Sequence, residues 1–94
     1  MVELQAPQTV ASGVPFLFAF TSPTRVSGRL RLTAGTEAVA FILTKGEQVF
    51  EKSAGHRIRG KQGSFQVSDW GEHEPETEVV LRFEGAKAWI KISG

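Results

Sequence analysis

The stretch TEVVLRFEGAKAWIKIS, residues 77–93, carries the clearest structural signal in the chain. Apolar side chains occur there at every second position on both sides of a glycine: Val79, Leu81 and Phe83, then Ala88, Ile90 and Ile92. A period of two places one face of an extended segment in a core and the other in water, so the pattern predicts two β-strands, residues 77–84 and 87–93. The pair Gly85-Ala86 between them predicts a tight hairpin.

The same period continues outward from this stretch. Residues 14–21 and 27–33 alternate Phe or Leu with other residues, and residues 38–44, 47–52 and 64–68 are further predicted strands. The glycine-punctuated residues 55–63 are predicted to form a loop or a short edge strand. Helical periodicity is almost absent. The sequence therefore predicts an all-β protein, a small antiparallel β-sandwich of about seven or eight short strands of jelly-roll or immunoglobulin-like type, with a small β-barrel as the alternative.

Length and composition limit the function. The 94 residues have room for one domain, residues 1–94, in which residues 1–10 could serve as an N-terminal arm. The absence of cysteine excludes disulfides, thiolate nucleophiles and cysteine-ligated zinc. A chain of this size builds a modest core, which argues against a deep catalytic cleft.

Catalytic and cofactor motifs are incomplete. The string GHRIRGKQ, residues 55–62, approaches the phosphate-binding P-loop but has Gln62 where a magnesium-binding hydroxyl is needed. No nucleophile elbow accompanies the two histidines, and His73 lies among glutamates without the spacing of a calcium loop. We therefore predict no enzyme activity, no catalytic residues, no metal site and no cofactor.

A short basic segment holds Arg57, Arg59 and Lys61, which Arg29 and Arg31 could extend if their strands are neighbours. The net charge of the whole chain is only +1, and the aromatic residues mostly alternate inward. Binding of nucleic acid by a β surface normally needs exposed aromatic rings as well as cations. Nucleic acid is therefore not the expected partner.

Four apolar residues are candidates for contact with a partner. Trp89 lies opposite the inward-facing residues of its strand, and Trp70 lies at the start of the acidic segment 69–78, where it could bind a ligand or cap the core. Leu17 and Ile42 occupy the second faces of strands whose first faces are already apolar. Since one face of a sandwich strand meets the core, another subunit or a loop is expected to cover the second.

These features favour a non-catalytic structural module that acts by protein–protein contact with copies of itself or with a larger assembly, such as a virion decoration or tail component. The alternative is a carbohydrate-binding module that uses Trp89 and Trp70 as flat platforms for a glycan. No secretory signal and no membrane-spanning apolar run are visible, which predicts synthesis in the cytoplasm and is compatible with a place in a virion. The final location is unknown from the sequence.

Overall fold

The computed structural model of the chain describes residues 1–93, and this part contains nine β-strands and no helix. The strands are β1 (Glu3–Gln5), β2 (Thr9–Ala11), β3 (Phe16–Ala34), β4 (Glu37–Val39), β5 (Phe41–Lys45), β6 (Gln48–Ser53), β7 (Gly55–Ser68), β8 (Glu78–Phe83) and β9 (Ala86–Ser93). The prediction of an all-β protein is confirmed.

Hydrogen bonds join all nine strands into one sheet, which curls into a half-barrel. The order is β2-β9-β8-β3-β7-β5-β6, and β1 and β4 both pair with β3. Every pair is antiparallel except β2 and β9, which run in parallel with Val10 opposite Ile92. The prediction of a purely antiparallel sheet is therefore wrong, because a three-residue segment near the N-terminus joins the last strand. The jelly-roll or immunoglobulin-like arrangement stays a prediction.

A long two-stranded ribbon of β3 and β7 forms the middle of the sheet. The ribbon extends from the pair Phe16 and Val67 to the pair Arg31 and Gly55, with a shift of register after Thr21. Such irregularities bend a strand and increase its twist, so they help a sheet to curl. The first half of β3 has β1 on its other side, and its last residues have β8 there. Residues 55–63, predicted to form a loop or a short edge strand, are the first part of the longer strand β7, and in this part β3 is the strand they pair with, since β5 joins β7 only at residues 66–68.

The hairpin between β8 and β9 is confirmed, one residue earlier than predicted. Its turn residues are Glu84 and Gly85, which have φ angles of 49° and 83°, and Phe83 pairs with Ala86. Positive φ at both central residues is the type I′ turn that matches the twist of antiparallel strands. The turn lets β9 return directly along the outer edge of β8.

One apolar cluster fills the inside of the half-barrel and is built from the alternating residues of β3, β5, β7, β8 and β9. Phe20 packs edge-on against Phe83 at 5.0 Å between ring centroids, and Phe18 stacks on Phe65 at 5.4 Å. The segment of residues 1–10 also contributes, because Val2 and Val10 are buried. With no helix in residues 1–93, this part of the chain offers no helical segment that could cross a membrane.

Candidate functional site

The two tryptophans have opposite environments. Trp89 is 57% exposed, on the outer side of β9, whereas Trp70 is 1% exposed. The indole Nε1 of Trp70 donates a hydrogen bond of 2.9 Å to the backbone oxygen of Val14, and its ring packs edge-on against Phe16. His73 stacks on the other side at 5.4 Å between centroids. Trp70 therefore caps one end of the core and has no free ring face for a glycan or a partner.

Leu17 and Ile42 lie on one outer surface, formed by β1, the first half of β3, the second half of β7, β5 and β6. Leu17 is opposite Gln66, Gln66 is opposite Thr44, and Thr44 is opposite Val49, so one row crosses four strands. The uncharged outward positions of this surface, which we call the uncharged face, are Gln5, Leu17, Ala19, Ile42, Thr44, Val49, Ser64, Gln66 and Ser68. The outward residues Glu3 on β1 and Glu51 on β6 border it.

Exposed apolar side chains lie at both ends of that central row. Leu17 is 69% exposed and Val49 is 65% exposed, while Ile42 is partly buried. An open depression of about 490 Å³ lies beside Leu17 and is also lined by Gln5, Thr44 and Gln66. The structure therefore brings two of the predicted contact residues together, and it adds Val49, which the sequence analysis missed.

A second outer surface is strongly basic and is formed by the other half of the ribbon together with β8 and β9. Arg29 lies directly opposite Arg57, and Arg31 lies opposite Arg82, which in turn lies opposite Lys87. Arg59 faces Ser27 one row further along. We call this surface the arginine face and define it as Arg29, Arg31, Arg57, Arg59, Arg82 and Lys87. The expectation that Arg29 and Arg31 extend the basic segment is confirmed.

Glycine shapes the arginine face. A Cβ built on Gly55 would lie 2.6 Å from Cδ of Arg29, so the bare backbone lets the Arg29 side chain lie across β7. Glu84, next to this face at the turn between β8 and β9, lies over Gly28, which has the inward parity of Leu30. Arg57 donates a hydrogen bond of 3.3 Å to Oγ of Ser27.

The arginines have no carboxylate partners within the described part of the chain. Its two ion pairs are Lys52 with Asp69 and Lys91 with Glu76, each at 3.5 Å. The acidic segment 69–78 therefore forms no ion pair with the arginine face, and the acidic residue beside this face is Glu84, which lines one depression with Arg29, Arg31, Arg82 and Lys87.

Lys61 of the predicted basic segment and its sequence neighbour His56 lie elsewhere. His56 is 6% exposed and points into the core, where its Nε2 is 2.8 Å from the backbone oxygen of Phe41. Lys61 is exposed at the bend of the ribbon, between Gly60, which pairs with Val26, and Gln62, which pairs with Thr21. Residues 1–93, which include His73, contain no group of three His, Asp or Glu side chains placed to hold a metal ion.

Comparisons with protein-family models, with curated proteins and with solved structures find no match for this chain. What the protein does must therefore be inferred from its own surfaces.

Proposed function

We propose that this protein is a non-catalytic assembly module that acts by protein–protein contact through the uncharged face. The copies of such a module associate with one another or with a larger assembly, for which a virion component is the example that the sequence suggests. The observation that carries the proposal is the row from Leu17 to Val49, which is uncharged and has an exposed apolar side chain at each end.

The composition of this face supports contact with another protein. The centres of protein–protein interfaces are depleted of charged residues, and a polar rim surrounds them. Charged residues border this row at the next outward positions, Glu3 beyond Gln5 on β1 and Glu51 beyond Val49 on β6. The uncharged centre extends over about 14 Å across four strands, since neighbouring strands lie about 4.8 Å apart. A partner could therefore cover it without burying an unpaired charge.

The exposed side chain of Leu17 allows an estimate of how much its replacement would weaken association. Complete burial of a leucine side chain stabilises a complex by about 1.5–3 kcal/mol, and 69% of Leu17 is available for burial. About 1–2 kcal/mol would therefore be lost on replacement, which corresponds to an increase of about 5- to 30-fold in the dissociation constant.

Light scattering after gel filtration tests self-association, with Leu17→Lys and Ile42→Lys as the variants. We expect the native chain to have a mass above that of one protomer, and both variants to shift to the monomer, because each would bury an ammonium group. Val14→Lys is the matched control, since Val14 is 46% exposed but lies in the loop before β3. It should associate like the native chain.

A native chain that stays monomeric at about 1 mM would argue against self-association. The proposal would then require that this monomer crosslinks to its natural assembly and that Leu17→Lys and Ile42→Lys abolish the crosslinks. If neither substitution changes the mass or the crosslinks, the uncharged face is not an interface.

One observation favours a second candidate, glycan binding. Trp89 exposes an indole beside a small cleft of about 180 Å³ that Gln8, Glu76 and Lys91 help to line. A flat apolar ring with polar side chains around it suits a sugar. Because Trp70 is buried, its indole is not available to a glycan. We therefore rank glycan binding below assembly. Glycan-array binding that is lost in Trp89→Ala, with the protein monomeric, would reverse the order.

A further inference from the structure

We propose that the arginine face binds single-stranded nucleic acid, with phosphates on the guanidinium groups and a base stacked on Trp89. This function uses a different outer surface from the uncharged face and does not depend on the proposed assembly. It also revises the expectation from sequence, because two reasons for excluding nucleic acid do not hold in the fold.

The first reason was the balanced net charge. The fold separates the charges, so that five arginines and a lysine lie on four adjoining strands, while half of the ten acidic residues lie in the segment 69–78. Like charges directly opposite each other in a sheet are destabilising. The opposed pairs Arg29 with Arg57 and Arg31 with Arg82 therefore carry a cost that an anionic ligand would remove.

The second reason was that the aromatic residues mostly alternate inward, and the sequence did not place the outward Trp89 beside the cations. Trp89 is exposed, and it lies on the same outer surface as Lys87, two residues away on β9. Trp89 is opposite Val80, and Arg82 follows Val80 by two residues on the same face. Diagonal neighbours of this kind in a sheet are about 7–8 Å apart. A base on Trp89 would therefore lie beside the row of Lys87, Arg82 and Arg31.

The type of cation favours phosphate. Arginine presents a planar fork that binds two phosphate oxygens at once, and five of the six cations of this face are arginines. Gly55 holds the Arg29 side chain close to the sheet, and Ser27 contacts the guanidinium of Arg57. The face therefore offers several phosphate-binding groups on one rigid surface next to a stacking ring, as in other β-sheet surfaces that bind single strands.

Fluorescence anisotropy with a labelled single-stranded oligothymidine tests the proposal. Each phosphate neutralised on a single strand contributes about −0.7 to the slope of log K against log salt, so five arginines predict a slope of about −3.5. A fourfold increase in salt should then weaken binding about 100-fold. Trp89→Ala should weaken binding by about 5- to 100-fold, and it should leave the salt slope unchanged, because stacking releases no counterions.

The double variant Arg29→Gln and Arg57→Gln should make the slope less steep by about 1.4. Its matched control is Lys45→Gln with Lys52→Gln, which removes the same charge from β5 and β6. Circular dichroism would verify that every variant is folded. We expect the control to bind like the native chain apart from a small general effect of net charge.

Three outcomes would overturn the proposal. The first is no binding at about 100 µM protein in low salt, where even non-specific binders of nucleic acid associate. The second is binding that the lysine control weakens as much as the arginine variant. The third is equal binding to a sulfated polysaccharide with no effect of Trp89→Ala, which would assign the face to polyanions in general.

Discussion

Replacing Arg57 with glutamine should make the isolated protein more stable at low salt. Arg57 and Arg29 face each other directly across β7 and β3, with no carboxylate partner for either within residues 1–93. The hydrogen bond from Arg57 to Ser27 is exposed and 3.3 Å long, so its loss costs little, and a glutamine amide can donate in its place. The repulsion between the guanidinium groups is then the main contribution that changes.

The size of the effect follows from the cross-strand geometry. Charged pairs directly opposite each other change stability by roughly 0.2–1 kcal/mol, so the free energy of unfolding should rise by about this amount. In a domain of this size, 1 kcal/mol corresponds to roughly 4–8 °C, which gives a rise in Tm of about 1–8 °C. At 1 M salt the Debye length is about 3 Å, and the gain should disappear.

Urea unfolding followed by tryptophan fluorescence measures this change, since Trp70 moves from the core to water while Trp89 is already exposed. Arg25→Gln is the matched control, because Arg25 lies in the register shift of β3 with no arginine placed opposite. Arg29→Gln should raise the free energy of unfolding of the Arg57→Gln variant by less than it raises that of the native chain, because the two residues share one repulsion. Lower stability of Arg57→Gln at low salt, or a gain that persists at 1 M salt, would refute the reasoning.

Two further predictions concern the core. Trp70→Ala should lower the free energy of unfolding by about 3–5 kcal/mol, because it opens a large cavity at the capped end of the core. Urea unfolding followed by circular dichroism would measure this loss. A loss below about 1 kcal/mol would contradict the role of Trp70. Gly63→Ala should cost about 1–3 kcal/mol, since its Cβ would lie 2.8 Å from a ring carbon of Phe65 and 3.1 Å from one of Phe20. Thermal unfolding would check this, and an unchanged Tm would show that both rings can move.

The local features of the fold were predictable because alternation is a property of neighbouring residues. The apolar positions of residues 77–93 gave β8, β9 and their hairpin, and Phe16, Phe18 and Phe20 are all buried as the alternation requires. The outward position of Trp89 followed from the same period. The parallel pairing of β2 was not predictable, because a three-residue strand has too few residues to show where it pairs.

The length of β7, which joins residues 55–63 to residues 64–68 in one strand, was not predicted for a different reason. Its glycines at positions 55 and 63 are typical of a loop, yet each lies where a side chain from a neighbouring residue passes close to the backbone. Those side chains belong to Arg29 at one position and to Phe65 and Phe20 at the other. Such a close approach is a tertiary contact, and the sequence around a glycine does not record it.

The sequence by itself determined that the chain is built from strands and which face of most strands is apolar, since both follow from the order of side chains along an extended backbone. Only the tertiary structure decided which outward residues become neighbours. Arg29 and Arg57 are 28 positions apart in the sequence, and Leu17 and Thr44 are 27 apart. The pairing of β3 with β7 and of β7 with β5 gathers one surface of arginines and another without charge. Pairing between distant strands depends on the packing of the whole core, and so the surfaces that could act on a partner exist only in the folded chain.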